Sequence, residues 1–164
     1  VSLAEPVCLA LQSVLADAVR AVKPADVGLH VGATYVCIEG PQFSTQAESH
    51  WYRSMPADII GMTNMPEARL AREAEMAYAT LALVTDYDCW HPKEAHVTAD
   101  MAIMNLMRNA EQAQAVMAKA IELLAASWPT SIAHHALDAG LITSPADMTP
   151  EVRERLKALI ARRL

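Results

Sequence analysis

Cysteine is scarce in this chain. Cys8, Cys37 and Cys89 are odd in number, widely spaced and form no Cys-x-x-Cys pair. That excludes a disulfide framework and points to reduced thiols. Although 53% of the residues are hydrophobic, no unbroken apolar run approaches the roughly eighteen residues of a membrane span, so no membrane partner is expected. No block of like charge occurs either. The formal net charge of -6 arises from intermixed acids and bases, which argues against nucleic-acid binding through the phosphate backbone. Anion binding by amides and hydroxyls stays open. The five glycines include no Gly-x-Ser-x-Gly and no Walker-type loop. No basic amino-terminal region with a cleavage site is present, so a cytoplasmic protein is expected. The opening "VSLAEPVC" lacks an initiator Met and begins as though in mid-element. An amino-terminal part of the natural protein is therefore expected to precede it.

What is present alternates between two periodicities. Leu11, Val14, Leu15, Ala18, Val19 and Val22 have helical spacing. Glu5 and Pro6 suit the first turn of that helix, and Pro24 stops it. The stretch 29–40 reads as a buried strand. Thr45 and Glu48 have capping-box spacing before a short helix. "ADIIGM" reads as a second buried strand, Asn64 as the cap of the next helix, and "AYATLALVTDY" as a third buried strand. A long helix is expected over about 98–126, then a helical piece over 131–139. A last helix starts at Thr149 with Pro150 in its first position and ends in Arg162 and Arg163. Strands buried on both faces between helices imply an α/β architecture in one domain, 1–164. Ligands gather beyond the strand ends of such folds. Those ends are "EGPQFS" at 39–44, "GMTN" at 61–64 and "TDYD" at 85–88.

Each end has a chemical and a plain reading. If the strand persists, Asp86 and Asp88 face one way and Tyr87 the other. Two acceptors on one face suit a ligand with neighbouring N–H donors, and one acid can hand over a proton. The alternative is an Asx-turn with solvated acids. Phe43, the only Phe in the chain, either stacks on a flat ring or fills the core. Thr63, beside a helix amino terminus, either binds an anion or fills a turn. Asp86, Asp88, Cys89, His91 and His96 raise a metal reading. Their spacing lacks a ligand motif and mixes hard and soft donors, so no metal is expected.

Taken together, "TYVCIEGPQFSTQAES", "ADIIGMTNMPEARLAREAEMAYA" and "LVTDYDCWH" resemble the trimeric purine nucleoside phosphorylase family, in its branch that cleaves 5'-methylthioadenosine. The resemblance implies an α/β/α sandwich around a mixed sheet, incomplete here at its amino-terminal side. It implies a homotrimer and no metal or organic cofactor, with inorganic phosphate as co-substrate. It also implies phosphorolysis of methylthioadenosine to adenine and 5-methylthioribose 1-phosphate. Alternatives are a phosphorylase for methylthioinosine or other purine nucleosides, and a non-catalytic assembly half.

By motif, Asp86 resembles the acid facing purine N7, and Asp88 the acceptor from the 6-amino group. Phe43 and Ser44 resemble the contacts to the base. Met62 resembles the residue under the ribose, and Thr63 a phosphate-binding hydroxyl. Ala99, Ala102 and Ile103 resemble residues shaping the 5'-methylthio pocket. Gln42 and Gln46 stand where the family commonly carries Arg. Ser131-Ile132-Ala133 stands where many relatives carry Cys-x-Cys. The family's Gly-rich phosphate loop and its phosphate-binding Arg and His belong to the amino-terminal half. This chain is therefore expected to need that half for turnover.

Overall fold

A computed structural model of the chain describes residues 1–91 and 99–164, apart from the side chains at 99, 101, 102 and 108. The chain forms two compact units. One comprises Ser13–Met65 and Thr80–Trp128, the other Val1–Gln12, Pro66–Ala79 and Pro129–Leu164.

The first of these units holds the sheet. Strands β1 (Tyr35–Cys37) and β2 (Ile59–Gly61) pair in parallel, with Tyr35 opposite Ile59 and Cys37 opposite Gly61. Aromatic and β-branched residues fill these positions, as a pleated ladder favours. A parallel pair needs a crossover, and helix α2 (Gln46–Ser54) lies within it. Its capping box is formed. The Thr45 hydroxyl accepts from the Glu48 N–H at 3.3 Å, and the Thr45 N–H donates to Glu48 Oε2 at 2.7 Å. Losing such a cap costs about 1 kcal/mol. Gly61 gives the Tyr35 ring room. A Cβ there would lie 1.8 Å from Tyr35 Oη, so any larger residue would force the tyrosine side chain to shift.

Ala18 and Val19 of helix α1 (Leu9–Val22) pack against Val116 and Ala120 of helix α4 (Ala99–Ala126). Leu15, Leu29, Leu81 and Leu123 surround them. Each buried valine contributes about 1.5–3 kcal/mol.

The second unit is helical. Helix α3 (Asn64–Glu73) supplies buried Ala68 and Ala71, helix α5 (Ala136–Gly140) supplies Leu137, and helix α6 (Pro150–Ile160) supplies Ile160. The Thr149 hydroxyl caps α6, with Pro150 in its first turn as expected. Buried Arg72 donates to the carbonyls of Ser2 and Glu5 at 2.9 and 2.6 Å. Glu75 gathers the chain end. It accepts from the Leu137 N–H at 3.0 Å, from Arg163 at 2.8 Å and from Arg162 at 2.6 Å. The Arg163 guanidinium first, then the Leu137 N–H and Arg162, hold the Glu75 carboxyl at about 2 against the opposing effect of desolvation.

Four sequence expectations are corrected. Residues 77–87 form no strand. Their exposure alternates (Leu81, Leu83 and Thr85 half-buried, Thr80, Ala82 and Val84 exposed), so the apolar run covers one face rather than two. Strand state requires a ladder partner as well as suitable residues, and among the described residues this segment has none. Both β1 and β2 are half-buried rather than buried, because a two-stranded ladder leaves each strand one open edge. Helix α1 begins at Leu9, so Glu5 and Pro6 precede it, and the strand expected over 29–40 is confined to Tyr35–Cys37. The helical piece expected over 131–139 is present, as a 3-10 turn, Ile132–His135, running into α5.

Candidate functional site

Three chain segments converge within the sheet-bearing unit. The first, 39–44, leaves β1. The Ile38 N–H continues the ladder by donating to the Gly61 carbonyl at 2.9 Å. Gly40 then turns with φ of 71°, and a Cβ on it would come within 2.9 Å of Met62 Sδ. Met62, from the second segment, therefore lies against the turn that leads to Phe43. The third segment, 85–90, is tied to the first by the Cys89 thiol, which donates to the Ser44 carbonyl at 3.4 Å. Helix α4 joins them through Asn105, whose Nδ2 donates to the Thr85 carbonyl at 2.7 Å.

The acidic pair does not continue a strand. Asp86 Oδ1 accepts from the Asp88 N–H at 2.9 Å, an Asx-turn, and Asp88 takes the left-handed φ of 58°. A carboxylate that captures the amide two residues on prevents the chain from staying extended. The two side chains therefore do not share a face by strand alternation. Nor are they simply solvated, since both residues are half-buried. The Thr85 hydroxyl donates to Asp86 Oδ2 at 2.5 Å, and the Ser49 hydroxyl donates to Asp88 Oδ2 at 2.6 Å. Each carboxylate thus receives hydroxyl or amide donors and retains acceptor capacity for a ligand.

Phe43 is 52% exposed, so it is a surface aromatic beside the turn and not a core residue. Ser44 and Met62 are half-buried, and Thr63 is exposed. Asn64 is the first residue of α3, and its side-chain oxygen accepts from the Thr80 hydroxyl. A cavity of about 330 Å³ lies at the end of β1, lined among others by Glu39, Gln42, Phe43, Ser44, Glu48 and Tyr52. The Thr45 hydroxyl, then the Thr45 N–H, hold the Glu48 carboxyl below its ordinary range. Ile103 is 54% exposed on the second turn of α4. Ala99 and Ala102 lie on the backbone of that helix, with side chains outside the described residues. His96 also lies outside them. Among the described residues no group of three or more His, Cys, Asp or Glu is arranged to hold a metal.

Residues 2–122 match the phosphorylase superfamily. The chain belongs to that superfamily. Among its relatives, it is 53% identical over its whole length to S-methyl-5'-thioadenosine phosphorylase of Thermosynechococcus vestitus, of which it covers 57%. It is 49% identical, over 96% of its length, to the protein of the same name from Gloeobacter violaceus, of which it covers 53%. The crystal structure of a methylthioadenosine phosphorylase from an antarctic soil metagenomic library superposes with a TM-score of 0.89 and 60% identity. That match covers 97% of this chain and 55% of the other. An adenosine/methylthioadenosine phosphorylase from Schistosoma mansoni in complex with adenine follows with a TM-score of 0.75 and 32% identity, over 85% of this chain and 54% of that one. This superfamily member thus shares its α/β fold with solved phosphorylases and spans about half the length of the relatives it matches.

Sequence reasoning reached the three convergent segments but missed Ser49, Thr85 and Asn105. No periodicity marks Ser49, since it lies in a polar helix and is buried where it meets Asp88 of a loop 39 residues away.

Proposed function

We propose that the protein acts in phosphorolysis of 5'-methylthioadenosine, releasing adenine and 5-methylthioribose 1-phosphate. The observation that carries this reading is the hydroxyl-braced pair Asp86 and Asp88, tied through Cys89 to the Phe43–Ser44 segment. The names of the relatives support it.

In this reading Phe43 covers the flat purine, Ser44 adds a polar contact, and Met62 lies under the ribose. Thr63 contributes to phosphate binding, and Ala99, Ala102 and Ile103 shape an apolar pocket for the methylthio group. Phosphate attacks C1' as the bond from C1' to N9 breaks. The bond electrons pass to the purine, and Asp86 delivers a proton to N7, so the base leaves neutral. Asp88 accepts from the 6-amino group. A 6-oxo base would place its carbonyl against that acceptor. Unpaired buried groups of this kind support discrimination of up to about four orders of magnitude. Inorganic phosphate is the co-substrate, and no metal or organic cofactor enters the chemistry. A cytoplasmic homotrimer, with the remainder of the polypeptide completing the phosphate site, is part of the same proposal.

Calorimetric titration of the chain with adenine and with hypoxanthine tests the base site directly, because every residue assigned to the base lies in this chain. Preference for adenine is expected. Equal or better binding of hypoxanthine favours a 6-oxo nucleoside phosphorylase. In the complete polypeptide, phosphate-dependent release of adenine from methylthioadenosine should exceed release of hypoxanthine from methylthioinosine. Activity in neither assay would favour an assembly role.

A further inference from the structure

Ser49 is 1% exposed, and it lies in the otherwise polar helix α2. Its hydroxyl donates to Asp88 Oδ2 at 2.6 Å, across 39 residues of sequence. Four residues further on, and hence on the same helix face, the Arg53 guanidinium sits 3.5 Å from the centre of the Trp90 ring. Trp90 in turn lies edge-on to Tyr87, and Tyr87 stacks on His91. One face of α2 therefore grips the loop on both sides of Cys89, while the start of α2 follows directly from Phe43 and Ser44. The helix is a common mount for both walls of the base site.

We propose that Ser49 is a positioning residue that fixes Asp88 as the acceptor for the 6-amino group of adenine. The inference rests on the role proposed for Asp88 above. A serine hydroxyl has one proton. Spent on Oδ2, that proton holds the carboxylate plane and leaves Oδ1 as the oxygen with no protein donor among the described residues. Without it, a half-buried carboxylate on a left-handed residue is free to rotate or to seek water, and its selectivity for a donor over an acceptor falls. Hydrogen bonds to charged groups are among the stronger ones in proteins, so the loss should be visible in the ratio of affinities.

The test measures adenine and hypoxanthine affinities for the wild-type chain, Ser49→Ala and Ser49→Cys by calorimetry, with thermal melting of each. Ser49→Ala should lower the ratio of adenine to hypoxanthine affinity by about tenfold. Ser49→Cys, of similar volume and with a weaker donor, should fall between. A purely packing role would weaken both bases alike and leave the ratio unchanged, and that result overturns the proposal. Should Ser49→Ala not fold, the Cys variant decides: an unchanged ratio refutes Ser49 as a positioning residue. A wild-type chain with no preference for adenine refutes the reading of Asp88 itself, a separate outcome from the failure of Ser49.

Discussion

Replacing Glu75 by Gln removes one charge from the network that holds the carboxyl-terminal residues. The Glu75 side chain is 8% exposed, with Arg163 at 16% and Arg162 at 55%. Its carboxyl is held at about 2 in the folded chain against an ordinary 4.5. Taken whole, such a depression is worth roughly 3 kcal/mol. Arg162 is more than half exposed, so solvent screens part of it, and about 2 kcal/mol is the expected loss at neutral pH. Gln keeps an oxygen for the Leu137 N–H, and Arg163 keeps Asp138, so the loss reports mainly on charge.

The sign follows from the lowered value. The unfolded chain takes up a proton before the folded one as pH falls. The stabilisation is therefore complete above about 4.5 and fades as pH drops toward 2. Urea denaturation of wild type and Glu75→Gln, followed by circular dichroism at pH 7 and pH 3, measures it. The difference between them should be about 2 kcal/mol at pH 7 and less than half of that at pH 3. Equal stabilities at pH 7, or a difference that does not shrink on acidification, would refute the reasoning.

Asp86→Asn should lower turnover of the complete enzyme by roughly 10² to 10⁴ while weakening substrate binding far less. Single-turnover kinetics within a few-fold of wild type would remove its proton-delivery role. Asp88→Asn should narrow the preference for adenine over hypoxanthine, and unchanged selectivity in calorimetry would contradict its assignment. Gly61→Ala puts a methyl group where Tyr35 Oη now lies, 1.8 Å from the Cβ position. It should cost about 1–3 kcal/mol, partly restored by adding Tyr35→Ala, and an unshifted melting temperature would show that the ring moves aside freely. Thr45→Ala should cost about 1 kcal/mol of stability in α2, and an unchanged urea midpoint would argue that the cap adds nothing.

Much of the helical framework was legible because its signals are local. Thr45 with Glu48, and Thr149 with Pro150, lie within one turn of each other, so their spacing alone dictates where α2 and α6 begin. The heptad-like apolar positions of α1 likewise declare the face that packs on α4. The motifs around Phe43, Met62 and Asp86 marked three segments that do converge. The third strand was not legible. Apolar β-formers at 77–87 state a preference, and a ladder partner decides whether that preference is realised.

The sequence by itself determined where helices α2 and α6 start and which segments carry ring-facing and acidic side chains. Tertiary structure decided that Ser49 is buried against the Asp86–Asp88 turn and that Glu75 meets Arg163 across 88 residues of chain. Capping and periodicity act between neighbours in sequence, so residue order encodes them. The orientation of a carboxylate depends on donors brought from distant helices, and only the folded chain brings them there.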